Sequence, residues 1–375
     1  MPERLRILHV VGAMNPGGVE SWLMALLRRA DRSEIAMDFL VHTTSAALYD
    51  AEIRGLGGRI IACPDVRRPA YVREFNHALR RHGPYDVVHS HVHWFSGLTI
   101  PLARRGGVRL RIAHSHSDSS ASEAGAGPLR AVYRAVMARG MHSSATHLLA
   151  ASGPAARALF GAGWRRSAQV IYCGVDFAPF AERSAAEDRA SAREELGIER
   201  GDIVFGHVGS FHKPKNHSFL CTVAALATGL DARVRVLCVG EGVLRPQIEA
   251  HFEAAGVRAI FPGLRRDIPR LLRAMDVFVF PSLYEGLPLA VIEAQAAGLP
   301  CVVSANITRE VDVVSGLVRW LALVEGPRSW AEAALRGAKQ PVEADRGLTI
   351  LRESPFSVEA SLENVRRIYQ TSSFV

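Results

Sequence analysis

Short, β-branched apolar runs alternate with longer amphipathic segments along the whole of this chain, and the alternation starts twice. The first series is RILHVVG (6–12), MDFLVH (37–42), GRIIAC (58–63), DVVHSH (86–91), RLRIAHSH (109–116) and THLLAAS (146–152). Helical patterns lie between them, for example Glu20–Arg29 after the Gly17-Gly18 turn. The second series is IVFGHVG (203–209), VRVLCVG (234–240), AIFPG (259–263), DVFVFPS (276–282) and PCVVS (300–304). Strands separated by helices of about 10–15 residues form βαβ units, which lay the strands parallel and cover both faces of the sheet. The expected architecture is α/β: two Rossmann-like, doubly wound parallel-sheet domains facing each other across a cleft. They divide near residue 178, into 1–177 and 178–355, with the polar stretch 177–200 as a linker running into a surface helix. Ligands of such sheets bind beyond the carboxyl ends of the strands.

A length of 375 residues suits two cores better than one. Five scattered cysteines without a CxxC pair argue against a disulfide framework and fit a reducing cytoplasm. No apolar run approaches the roughly 18 residues of a spanning helix. The N-terminal MPERLRILHVV has an apolar part too short for a signal peptide and reads as a first buried strand. The net charge of +8 is concentrated in the first half: residues 1–178 hold 22 arginines and no lysine against 13 acids. Such an excess fits an anionic membrane surface or an acidic substrate, or an Arg-rich solvated surface. No zinc-finger or RRM signature accompanies it, so nucleic acid is not expected as a partner.

The most informative stretch is PSLYEGLPLAVIEAQAAGLP (281–300). Pro281–Gly286 leaves the end of a buried strand, Leu287 and Pro288 open a helix, and Gly298 and Pro300 stop it. Glu285 then sits on the loop and Glu293 about one and a half turns into the helix. Backbone N–H groups near Gly286 and Leu287, with the helix dipole, suit a phosphate. One reading makes the two glutamates acceptors for hydroxyls on either side of that phosphate. The other makes them ordinary helix carboxylates that favour the dipole.

DVFVFPSLYEGLPLAVIEAQAAGLPCVVS closely resembles the signature of retaining glycosyltransferases of family 4, which have the two-domain GT-B fold. The resemblance extends to MNPGGVESWLMAL (14–26), YDVVHSHVHWFSG (85–97), RIAHSHS (111–117), IYCGVD (171–176) and GHVGSFHKPKNHSFL (206–220). It is similar in flavour to bacterial capsular and exopolysaccharide transferases. The tail ESPFSVEASLENVRRIY (353–369) looks like the family's terminal helix, so residues 356–375 are expected to pack back on the first domain.

The resemblance implies roles residue by residue. Glu285 contacts the donor sugar, Glu293 binds the ribose, and Gly286 and Leu287 hold the diphosphate through the backbone. Lys215 neutralises the leaving diphosphate, with Lys213 beside it; these are two of only three lysines in the chain. His114 meets the sugar near the reacting carbon, and Gly17 and Gly18 let the diphosphate and acceptor approach. Arg265 and Arg266 border the base. After Gly209 the family usually has Arg, where this chain has Ser210, and Lys213 or His212 would have to substitute.

His89, His91 and His93 alternate, as do His114 and His116, and each set would share a strand face. Clustered imidazoles bind zinc, but no carboxylate or thiolate has matching spacing, and the resembled family generally needs no metal; no metal or cofactor is expected. The expected reaction is transfer of a sugar from a nucleotide diphosphate sugar to a saccharide or lipid-linked acceptor hydroxyl. Configuration at the anomeric carbon would be retained, in bacterial cell-surface polysaccharide or glycolipid synthesis. The setting is cytoplasmic, with possible peripheral contact at the inner face of an anionic membrane. A nucleotide-sugar epimerase and an inactive nucleotide-binding scaffold are the alternatives, the second motivated by Ser210.

Overall fold

The structure, a computed structural model, describes residues 4–64, 69–120, 127–182, 184–340 and 344–370. Two units separate in it: residues up to Gly174 together with the helix from Val358, and Val175–Ser357.

The first unit is built on seven parallel strands: β1 Leu5–Val11, β2 Ile35–Val41, β3 Ile60–Ala62, β4 Val87–Ser90, β5 Leu110–Ser115, β6 His147–Ala150 and β7 Ala168–Val170, in the order β3-β2-β1-β4-β5-β6-β7. The second holds six: β8 Ile203–Val208, β9 Val234–Val239, β10 Ala259–Ile260, β11 Val277–Phe280, β12 Cys301–Ser304 and β13 Val318–Leu321, in the order β10-β9-β8-β11-β12-β13. Each sheet runs outward for three strands and then restarts beside its first. The topological switch points therefore fall between β1 and β4 and between β8 and β11. Crossovers leave these points in opposite directions, which opens a crevice beyond the strand ends where ligands bind.

Parallel strands buried on both faces read as continuous apolar runs. All four residues of β11, VFVF, are buried, as are those of β12. The core of the second unit packs Phe205, Leu220, Val236, Phe252, Val279 and Trp330. In the first unit the helix Val358–Gln370 lies with helix Gly18–Arg29, and the Trp22 indole N–H donates to Ser361 Oγ at 2.8 Å. The expected return of the terminal segment is found over Val358–Gln370; residues 371–375 lie outside the described residues.

Two readings need correction. The stretch after residue 177 does run into a surface helix, most of whose residues are exposed, but the helix is not solvated all round. Its helix Ala185–Glu195 buries Asp188 and Arg193, and Asp188 pairs with Arg273 at 2.7 Å. Polar composition hid this because the buried charges face one another, which is how a charge becomes tolerable inside. The helix after Gly286 also starts later, at Leu289, with Pro288 as its flanking residue rather than its first.

Helices Ser96–Arg105 and Pro128–Ser144 approach so closely that each needs a glycine at the contact. A Cβ on Gly97 would strike the Met137 backbone, and one on Gly140 would strike the Gly97 carbonyl. Gly97→Ala is expected to lower stability by about 1–3 kcal/mol through overpacking, read from the urea midpoint.

Candidate active site

At the β8/β11 switch point the chain leaves β8 through Gly209 and Ser210 and makes a single 3-10 turn, Lys213–Lys215. Asn216, at φ 56°, turns it into helix His217–Leu230. This loop is tied to the one leaving β11. Asn216 Nδ2 donates to the Pro281 carbonyl at 3.1 Å, and the Leu283 N–H donates to the Pro214 carbonyl at 2.8 Å. The ties bring together two residues 70 apart in sequence: Lys215 Nζ lies 2.7 Å from Glu285 Oε1, both side chains mostly buried. The ammonium also stands 4.9 Å over the Phe280 ring. Gly209 makes room for it, since a Cβ there would come within 3.1 Å of Lys215 Cε.

Glu293 lies in the helix Leu289–Ala296. Among the described residues its carboxyl has no hydrogen-bonding or ionic partner, and desolvation raises its pKa to about 7. A carboxylate held like this gains when hydroxyl donors arrive, because hydrogen bonds to the charged form offset its desolvation. Gly286 is buried and Leu287 half-buried, directly ahead of this helix. Lys213 and Ser210 are exposed, and the Lys213 ammonium makes no ion pair among the described residues. Arg265 commits all three guanidinium nitrogens to Asp267 and Glu195, at 2.7–2.8 Å. His207, missed in the sequence, lies beneath the Lys215 loop. Its Nδ1 is 2.9 Å from the Val279 carbonyl, and burial lowers its pKa to about 4, which keeps it neutral beside the lysine.

In the first unit Gly17 flanks helix Gly18–Arg29, and a Cβ there would meet Glu20 Oε2 at 2.5 Å, whereas Gly18 faces open space. The Glu20 carboxyl thus folds back over Gly17, and burial lifts its pKa to about 7. Spacing alone did not show this contact.

The β1/β4 switch point carries five imidazoles. His9 and His89 are register partners on the two strands. His9 Nδ1 lies 3.0 Å from His91 Nε2, His91 Nδ1 lies 2.9 Å from His116 Nε2, and His116 Nδ1 lies 3.5 Å from Cys173 Sγ. A second chain runs from the Tyr369 hydroxyl, 2.7 Å from His89 Nδ1, through His89 Nε2 to His114 Nδ1 at 3.1 Å. His114 is wholly buried, and its Nε2 and that of His9 have no hydrogen-bond partner among the described residues. Burial holds all five imidazoles neutral: His9 and His116 fall to about 3, and His89, His91 and His114 well below the usual value. His93 does not share their face as the alternation implied. The strand has already ended at Ser90, and His93, at φ 50°, starts a 3-10 turn, while His9 takes a place no local spacing marked.

The family described as glycosyltransferase family 4 matches residues 16–178, and that described as glycosyl transferases group 1 matches residues 202–339. The glycosyltransferase EpsF of Bacillus subtilis (strain 168) is 36% identical over 340 residues, covering 89% of this chain and 88% of its own. The chain is a family 4, group 1 glycosyltransferase. The capsular polysaccharide biosynthesis glycosyltransferase CapH of Staphylococcus aureus is 23% identical over 98% of this chain and 99% of its own. Among solved structures, Anabaena HepE in complex with UDP and glucose superposes with a TM-score of 0.78 at 18% identity, covering 99% of this chain and all of that one. The likeness shows the same GT-B fold, two parallel-sheet α/β domains. The Lys215–Glu285 pair lies at a switch point, beyond the strand ends where doubly wound sheets in general receive ligands.

Proposed function

We propose that this glycosyltransferase takes a sugar from a nucleotide diphosphate sugar and attaches it to an acceptor hydroxyl with retention of anomeric configuration. The observation that carries the reading is the Lys215–Glu285 ion pair at the β8/β11 switch point. As the bond from the anomeric carbon to the diphosphate oxygen breaks, charge gathers on the leaving group, and a new bond forms to the acceptor oxygen. Lys215 meets that charge in a low-dielectric setting, with exposed Lys213 or His212 to stand in for the arginine whose place Ser210 takes. Glu285, released from the lysine, and His114 position the sugar, and Glu293 accepts from the ribose. Gly17, Gly18, Gly209, Gly286 and Leu287 allow close backbone approach, and Arg265 flanks the base as a cation fixed by its own carboxylates. No metal or cofactor has a part in this transfer. The glycosyltransferase names of EpsF and CapH and the UDP complex of HepE support transfer over epimerisation.

The test is thermal stabilisation by UDP, GDP, ADP, TDP and CDP. A diphosphate at 100 times its Kd stabilises by about 2.7 kcal/mol, and the shift is expected to vanish in Glu293→Ala. No shift with any of them removes the reading and favours an inactive scaffold. Retention is then read from the anomeric coupling of the product.

We also propose cell-surface polysaccharide or glycolipid synthesis at the cytoplasmic face of a membrane, with a saccharide or lipid-linked acceptor. CapH, a capsular polysaccharide enzyme by name, supports the class. No helix of the described residues is long and apolar enough to cross a membrane, so contact would be peripheral. Helix Pro128–Ser144 offers the surface: Leu129, Val132 and Val136 are 87%, 61% and 56% exposed, interleaved with exposed Arg130 and Arg139. Apolar side chains beside arginines suit an anionic interface. Flotation with anionic liposomes is expected to fall sharply with salt and in Leu129→Asp; flotation indifferent to both removes this part.

A further inference from the structure

The proposed transfer uses His114 alone among the five clustered imidazoles at the β1/β4 switch point, and the other four have no part in it. Each neutral imidazole carries one N–H and one lone pair, so a chain of hydrogen-bonded imidazoles can satisfy its interior but not its end. Here the end at His9 Nε2 is buried and, among the described residues, unpartnered. An orphaned nitrogen of this kind is a lone pair or an N–H sealed from water, so hydrogen bonds alone do not close the cluster. A metal ion on the Nδ1 of the same ring would fix Nε2 as the N–H without giving it a partner, so the case for an ion rests on the convergence of three imidazole nitrogens in this core.

We infer that His9, His89 and His91 form a three-imidazole site for one divalent transition-metal ion of the zinc class. One nitrogen from each lies within 4.8 Å of the other two. Zinc–nitrogen bonds of about 2.0–2.1 Å place two ligands of a tetrahedral ion roughly 3.3 Å apart. The 3.0 Å between His9 Nδ1 and His91 Nε2 is already close to that, so the ion would take the place of the proton they share. The outer contacts are of the kind that orient metal-bound histidines. His91 keeps its Nδ1 on His116, which passes the bond on to Cys173 Sγ, and His89 keeps its Nδ1 on the Tyr369 hydroxyl. Binding through His89 Nε2 would exchange its contact with His114 Nδ1.

His91, His114 and His116 form a second grouping that shares His91. The first is preferred because His9 and His89 are both wholly buried on paired strands, so the sheet register sets their spacing. His116 lies beyond the end of β5 as His91 lies just beyond β4, so the second grouping has two ligands off the strands where the first has one. Sites on strands are held more tightly than sites on loops. His91 is only partly buried and gives the ion its way in. Three protein ligands leave a fourth position for water.

The full-length chain, free of any polyhistidine tag and stripped with chelator, is titrated with Co²⁺ and then Zn²⁺. One equivalent of Co²⁺ is expected to give the strong visible absorption of a tetrahedral nitrogen site, which one equivalent of Zn²⁺ abolishes. His9→Asn and His91→Asn are each expected to weaken binding by at least about 100-fold, since even outer partners cost 10–100-fold. His77→Asn, on an exposed helix position, leaves it unchanged. Zn²⁺ is expected to raise the melting temperature of the wild type and not of His91→Asn, which separates lost binding from lost folding. The inference is overturned if the wild type gives no such spectrum at millimolar Co²⁺. It is equally overturned if His9→Asn binds as tightly as wild type while His116→Asn does not, which would move the ion to the second grouping. None of these readouts depends on sugar transfer.

Discussion

Lys215→Ala is expected to stay folded and to lose about 10²–10³ in kcat, the scale seen when one preorganised donor to a developing oxyanion is removed. The lysine's position is set by tertiary contacts and not by its own loop alone: Asn216 on Pro281, Leu283 on Pro214, and the bare Cα of Gly209 together bring its ammonium to Glu285. Its removal also strands the Glu285 carboxylate, whose side chain is only 13% exposed. Glu285→Gln separates the two effects. It keeps the shape and frees Lys215 from its partner, so diphosphate affinity is expected to hold or rise while kcat falls. The pair should also be non-additive, the double variant losing less than the two single losses combined. Wild-type turnover in both single variants would remove the assignment. Single-turnover kinetics with the donor identified by thermal shift decide the matter.

Asp276→Ala is expected to destabilise the second unit by about 3–5 kcal/mol, because it leaves a buried guanidinium without its counter-charge. Asp276 precedes β11 and accepts from Arg189 Nη2 at 2.5 Å, Arg193 Nη2 at 2.7 Å and the Val204 N–H at 2.7 Å. Arg193 is 7% exposed and has no water to turn to. The carboxylate therefore joins helix Ala185–Glu195 to the start of β11 and to β8, the two strands that flank the candidate site. The urea midpoint of the second unit reports the loss; a change within error would mean that the arginines find other acceptors. Arg328–Glu332, with side chains 77% and 43% exposed, is the contrast, and its removal is expected to leave the midpoint where it was.

The strands most plainly legible in the chain are the central ones with helices on both faces, though the edge strands β3 and β10 were also marked by short apolar runs. β8, β9, β11 and β12 are nearly all apolar because neither face meets water. The edge strands β7 (AQV) and β13 (VRWL) were not recognised, since their half-exposed alternation leaves too little apolar run to stand out. Glu285 and Glu293 were legible for a different reason. Strand, turn and helix follow one another within a single stretch, so local chemistry is enough to place them.

What the sequence by itself determined is thus the alternation of elements, the two parallel sheets and the local geometry of the loop after β11. Only the tertiary structure decided who meets whom. Lys215 finds Glu285 because β8 and β11 are neighbours, 70 residues apart in the chain. His9 joins His89 because β1 lies beside β4, and Tyr369 reaches His89 because the last described helix returns to the first unit. The physical reason is that side-chain periodicity records which face of an element is buried, whereas contacts across a switch point depend on the order in which strands join the sheet. That order is set by how the crossover helices pack, over distances that no local pattern of residues records.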